Sequence, residues 1–251
     1  NGDEIRRDIE LVSISANGFE AGNALSVRGA DQIYIEEGAK VDGAILNASN
    51  GPVYIGKDAH IMDGAIIQGP IAICDNAVVK MGAKIYADTT IGPWCKVGGE
   101  ISNSVLFAYS NKGHDGYLGN SVVGEWCNLG ADTNTSNLKN NYSTIKSWDY
   151  ETKSMLDSGL QFCGLIMGDH SKAGINTMFN TGTVAGIMCN IYGADFPPKW
   201  IPGFSWGGSA GFTEHDVDRG LAVARKVMER RGVILSQAEE KLIREVFKKT
   251  K

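Results

Sequence analysis

Residues 55–97 read IGKDAH IMDGAI IQGPIA ICDNAV VKMGAK IYADTT IGPWCK V, and every block of six opens on an aliphatic side chain. Ile55, Ile61, Ile67, Ile73, Val79, Ile85, Ile91 and Val97 thus stand six apart without a miss. Helices repeat at 3.6 residues and half-buried strands at two, so neither accounts for this period. A second series, Ala59, Ala65, Ile71, Ala77, Ala83, Thr89 and Cys95, precedes the first by two residues and is small except at Ile71. Large and small residues therefore alternate inward along short strands with a turn in every block. That is a β-solenoid of hexapeptides, in which each coil buries its face against the next. Each large aliphatic contributes roughly 1.5–3 kcal/mol on full burial, before chain entropy is subtracted.

Working outward, the pattern is irregular from Leu25 to Val53, where Asn47–Asn50 interrupt it. It breaks again between Glu100 and Gly119 and resumes at Val123-Gly124 and Leu129-Gly130. A longer polar break from Asp132 to Leu165 carries Trp148 and Tyr150. The period then returns as Met167, Ala173, Phe179, Ala185 and Ile191. A repeat that serves only as scaffold does not need such excursions, so both breaks are expected to carry function.

Residues 1–24 read as a connector with a short helix around Glu4–Glu10, residues 25–205 as the solenoid domain, and residues 206–251 as a helical tail. In the tail, Thr213 is the expected cap of a helix striped by Val217, Leu221, Ala224 and Met228. Ser236 and Glu239 form a capping box for a second helix, striped by Leu242, Ile243, Val246 and Phe247. Both stripes are expected to pack on the solenoid or on a neighbouring subunit.

Bulk composition narrows the function. Of 251 residues 43% are hydrophobic and the net charge is −5, which argues against a nucleic-acid or anionic-membrane surface. No apolar run approaches the roughly 18 residues of a membrane span, so no membrane partner is expected. The five cysteines fit no zinc pattern. Cys95, Cys127 and Cys189 read as small buried hydrophobes of a reducing, cytoplasmic compartment. The opening Asn1 and the charged stretch after it read as the rear part of a longer polypeptide.

The first break contains Asn111-Lys112-Gly113-His114-Asp115-Gly116-Tyr117-Leu118-Gly119. Its glycines allow close approach of a ligand to the backbone, and an imidazole can take a proton at neutral pH. Asn128-Leu129-Gly130-Ala131 and Thr135-Ser136-Asn137-Leu138 follow at short distance. The stretch from His114 to Asn137 resembles the acetyltransferase domain of the bifunctional N-acetylglucosamine-1-phosphate uridyltransferase / glucosamine-1-phosphate acetyltransferase family. That family's pattern is Gly-His-x-x-Tyr-Leu-Gly-Asp, then Asn-Ile-Gly-Ala-Gly-Thr, then an Asn-Tyr pair. About 30 residues carry the specificity.

The resemblance implies a left-handed parallel β-helix of hexapeptide repeats with a C-terminal two-helix extension. It also implies acyl transfer from acetyl-CoA to an amino-sugar 1-phosphate. His114 matches the general base, and Glu100 the carboxylate that orients it. Tyr117, Asn128 and Asn137 match substrate-binding positions, with Lys146 a further sugar-contacting position. Gly130, Ala131, Gly174 and Ile175 match positions along coenzyme A. No metal is implied, and the homotrimer with sites between subunits is carried over, as is a nucleotidyltransferase domain in front. The chain departs from the family at the cationic clamp for the sugar phosphate, where Tyr86 and Ser102 stand; Lys80, Lys84 or Lys96 can substitute from an adjacent coil. Leu138 replaces a tyrosine, and Ile175 a serine. The departures support a second reading, a catalytically silent β-helix that trimerises and regulates an attached nucleotidyltransferase domain. A third, a γ-type carbonic anhydrase, needs zinc-binding histidines that His60, His114, His170 and His215 do not cluster to supply.

Overall fold

In the computed structural model, residues 1–12 and 24–250 are described. They divide into two compact units, Asn1–Val122 and Val123–Lys251. The fold is a left-handed parallel β-helix, with helices α1 (Gly2–Val12), α2 (Val217–Glu229) and α3 (Gln237–Lys249). Residues 13–23 of the expected connector lie outside the described residues.

The first unit has three parallel faces. One stacks Ser26–Arg28, Ile45–Asn47, Ile66–Gln68, Lys84–Ile85, Glu100–Ser102 and Tyr117–Gly119. A second stacks Ile33–Ile35, Val53–Ile55, Ile71–Ile73, Thr89–Ile91 and Val105–Leu106. The third stacks Lys40–Val41, His60–Ile61, Val78–Val79, Lys96–Val97 and Asn111–Lys112. All eight aliphatics of the hexad series are buried, and so are all seven members of the series before them. The turn recurs with the same period. Asp58, Gly64, Asn76, Gly82, Asp88 and Trp94 all take left-handed φ, between 53° and 71°. Glycine, Asn and Asp tolerate that region, whereas Trp94 is held in it while stacking on Tyr109, centroids 6.1 Å apart.

The expected break from Glu100 to Gly119 is not an excursion. Ile85 pairs with Ile101, and Ile101 with Leu118, in unbroken parallel register. Two physical causes hide this in the sequence. These coils are shorter than three full hexads, so the period slips, and the inward position opposite Val97 is taken by Lys112 rather than an aliphatic residue. Helix α1 lies on the second face, with Ile5 buried and Arg6 donating to Asn50 O at 2.7 Å.

In the second unit Leu129, Met167, Ala173, Phe179, Ala185, Ile191 and Ile201 point inward and are buried. The second excursion is real but starts later than Asp132: Asn134–Thr135 still pairs in parallel with Met178–Phe179, and the chain beyond carries an antiparallel hairpin, Lys146–Asp149 against Ser154–Asp157. Trp148 of that hairpin stacks on Trp200, with centroids 4.6 Å apart, and Tyr150 meets the same ring edge-on at 5.0 Å. Strands Ser205–Gly208 and Gly211–Glu214 close the solenoid as a second antiparallel pair. Thr213 is consumed by this pair, so the cap of α2 is Asp216, whose Oδ1 accepts from Arg219 N at 2.9 Å. The Ser236–Glu239 capping box forms on α3. Leu221, Ala224 and Ile243 pack with Met188 and Phe204 of the solenoid, and Phe247 meets Phe204 ring to ring at 4.8 Å. Leu242 is left out of this core, at 64% exposed. Cys95, Cys127, Cys163 and Cys189 are buried, Cys74 is half-buried, and all are free thiols. No helix among the described residues is long and apolar enough to cross a membrane.

Candidate functional site

The expected site residues fall into both units: Glu100, His114 and Tyr117 in the first, and Asn128, Gly130, Ala131, Asn137, Lys146, Gly174 and Ile175 in the second.

In the first unit, Lys84, Glu100 and Tyr117 form one outward column on the first face, each in register with the next. His114 occupies the corner between strands Asn111–Lys112 and Tyr117–Gly119, and its side chain is exposed. The corner is seated tightly. Glu100 N donates to Gly116 O at 3.2 Å, and Gly99 lies beneath with φ +70°. A Cβ at Gly99 would come within 2.8 Å of both Asp115 Cα and His114 O, so only glycine allows this approach. The Glu100 carboxylate lies 4.0 Å from Lys84 Nζ. Among the described residues the Glu100 carboxylate accepts no hydrogen bond from the His114 imidazole.

In the second unit the corners Gly130–Thr133 and Gly174–Thr177 stack directly. Gly130 N donates to Ala173 O at 2.9 Å and Asn176 N to Ala131 O at 2.8 Å. Thr133 Oγ1 donates to Gly174 O at 3.3 Å. Asp132 and Asn176 supply the left-handed turns, φ 55° and 57°. Gly130 has no room for a side chain, since a Cβ would stand 2.6 Å from the Gly174 carbonyl carbon. Ile175 is exposed beside this stack. Gly130, Ala131, Gly174 and Ile175 are thus brought together as two layers of closely apposed backbone. Asn128 is exposed on the strand leading into it, paired with Lys172. Asn137 begins the excursion, its carbonyl accepting from Cys163 N at 2.9 Å. Lys146 belongs instead to the hairpin, exposed and opposite Asp157.

Sequence reasoning missed a further group in the second unit. A cavity of about 140 Å³ is lined by His170, Lys172, Met188, Cys189, Trp206 and His215 among others. Burial, seconded by the Lys172 charge, pushes the His170 imidazole down to about 4 against the pull of Glu239. Lys172 is also lowered by burial, and its Nζ donates to the carbonyls of Trp126 and His170, both at 2.8 Å. Burial raises the Cys189 thiol to about 11. The available signal was the turn period: His170, Asn176, Gly182 and Met188 stand six apart, all with left-handed φ. Among the described residues no group of three or more His, Cys, Asp or Glu side chains is placed to hold a metal ion.

Fold and site thus define the class: a left-handed hexapeptide β-helix with an exposed corner histidine. No family model matches the chain. Among known proteins, the uncharacterized acetyltransferase YaiX of Escherichia coli O6:K15:H31 (strain 536 / UPEC) is 30% identical over 145 residues, 57% of this chain and 62% of that protein. YaiX of the K12 strain is 29% identical over the same length. The chain spans about three fifths of the length of these relatives. Among solved structures, the UDP-N-acetylglucosamine acyltransferase of Francisella novicida is 15% identical, with a TM-score of 0.31 over 88% of this chain and 78% of that one. A mutant of AntD, an N-acyltransferase from Bacillus cereus in complex with dTDP and coenzyme A, is 10% identical, with a TM-score of 0.31 over 84% and 95%.

Proposed function

We propose that this chain is an acyltransferase that moves an acetyl group from acetyl-CoA to the amine of an amino-sugar 1-phosphate, working as a cytoplasmic homotrimer behind a sugar nucleotidyltransferase domain. The observation that carries the reading is His114, an exposed imidazole on a tightly seated corner three residues before the half-buried Tyr117. The acetyltransferase name of the YaiX relatives supports the same class of chemistry.

In this reading the sugar amine attacks the thioester carbonyl carbon while His114 removes its proton. The tetrahedral intermediate collapses as the carbon–sulfur bond breaks, and the imidazolium returns a proton to the departing thiolate. Backbone N–H groups near Ala131 steady the oxyanion. Tyr117, Asn128 and Asn137 hold the sugar, and Gly130, Ala131, Gly174 and Ile175 receive coenzyme A along apposed backbone. Lys146 is a further sugar contact. Lys84 takes the place of the family's phosphate clamp, since Tyr86 and Ser102 carry no charge.

The second reading, a catalytically silent trimer that regulates an attached nucleotidyltransferase, is favoured by one observation. Glu100 sits beside Lys84 instead of holding the imidazole. Thiol release from acetyl-CoA against a panel of amino-sugar 1-phosphates decides between them. Turnover on at least one member supports the enzyme, and none on any supports the silent trimer. Sedimentation showing a monomer at micromolar concentration would remove the shared-site arrangement.

A further inference from the structure

Lys112 sits at an inward hexad position, in register with Val97, and is 1% exposed. A buried ammonium is costly unless its protons are taken up, and an aliphatic residue at this position would cost nothing of that kind. Its Nζ donates to three main-chain carbonyls: Gly98 O at 3.3 Å, Asp115 O at 3.1 Å and His114 O at shorter range. Two of these belong to the corner that bears His114, and the third belongs to the coil below it. The lysine therefore reaches from the core into the turn and ties its carbonyls to the preceding coil.

We propose that Lys112 is a positioning residue for His114: it fixes the main chain of the Gly113–Gly116 corner from inside, so that the exposed imidazole is presented in one orientation. The inference rests on the proposed acyl transfer. A four-residue corner with two glycines has little intrinsic stiffness, and a reacting group misplaced by about 1 Å can lose most of its positional advantage. His114 itself projects outward, so only its backbone can be held from the core. Lys112 supplies that hold.

Lys112→Met keeps the length and volume of the side chain while removing all three donors. The exchange relieves the desolvation cost of the buried ammonium but leaves three carbonyls short of a donor, two opposing effects of a few kcal/mol each. The variant should therefore melt within a few degrees of the parent. Amide exchange at Gly113–Gly116 should speed up at least about tenfold, and kcat should fall about 10- to 100-fold, the range expected when a reacting group is misplaced by about an ångström. KM for acetyl-CoA should stay within about twofold. A lysine serving only the core would change the melting temperature and leave the corner exchange and the kcat-to-KM split alone. Parent-like exchange with parent-like kcat would overturn the proposal, and so would a variant that fails to fold. If the parent transfers no acyl group, the proposed reaction falls; corner exchange in Lys112→Met still decides whether the lysine orders the turn.

Discussion

His170 and Trp126 stack across neighbouring coils, with ring centroids 6.3 Å apart and planes 7° from parallel. Both sit at left-handed turn positions, φ 59° and 58°, and His170 N donates to Glu125 O at 2.8 Å. The stack leaves His170 Nδ1 buried without a hydrogen-bond partner. The ring is accordingly held neutral, its pKa pushed down to about 4 from an ordinary 6.5.

A pH dependence follows. The unfolded chain takes up a proton at His170 near 6.5, while the folded chain resists until about 4. The unfolded state therefore binds more protons between these values, and stability falls as pH drops through that window before levelling off below it. The full loss is on the order of 3 kcal/mol. The capping carboxylate of Glu239, lowered by its hydrogen bonds from Ser236, adds a loss that sets in as pH falls through about 4.5. His170→Asn keeps a residue tolerant of left-handed φ and removes the titration. Urea unfolding at pH 7 and pH 4.5 should show a smaller stability difference in this variant than in the parent; an equal difference would assign the pH effect elsewhere.

Ile67 occupies the middle of the aliphatic series and is fully buried, paired with Ile85. Ile67→Asp places an unpaired charge there and should destabilise the first unit by several kcal/mol. Denaturant midpoints of variant and parent measure it. A variant as stable as the parent would mean the side chain points outward.

This register was legible in the sequence because a period of six admits few architectures, and the turn residues Asp58, Gly64, Asn76 and Gly82 repeat with it. The solenoid through Glu100–Gly119 was not legible. Hexad counting fails where coils lose residues at their corners, and Lys112 disguises an inward position as an outward one. Ser236 and Glu239 could be read because a capping box is local. The cap of α2 could not, because pairing of Trp206 with Thr213 decides where the strand ends. In the site, the resemblance matches Gly130, Ala131, Gly174 and Ile175 to positions along coenzyme A, but that their corners stack directly is read only from the structure. The Glu100–Lys84 approach depends on which side chains share a face, a fact invisible until the short coil is counted.

Gly130 tests the stacked corners. Gly130→Ala forces a methyl to within 2.6 Å of the Gly174 carbonyl carbon and 2.7 Å of Ile175 N, both backbone, so the two layers must separate. Acetyl-CoA affinity, measured by calorimetry, should weaken about tenfold or more if these layers receive the donor, a difference of about 1.4 kcal/mol. Parent-like affinity in a folded variant would place the donor elsewhere.

The last test falls on His114. Its exposed side chain contributes little to the fold, so His114→Ala should melt with the parent. As the general base, however, it should be needed for turnover, and its loss should lower the acyl-transfer rate about 10²–10⁴-fold. KM for acetyl-CoA should change little, because in the proposed mechanism the donor is held by backbone of other corners. That combination separates a base from a binding residue: kcat and kcat/KM should fall together. His114→Gln, which keeps hydrogen bonding but cannot carry a proton, should be as slow as the alanine variant. If glutamine restores the rate, His114 only orients the sugar. Should the parent be active and both variants equally so, the proton leaves by another route, and the corner that Lys112 ties down has a different purpose.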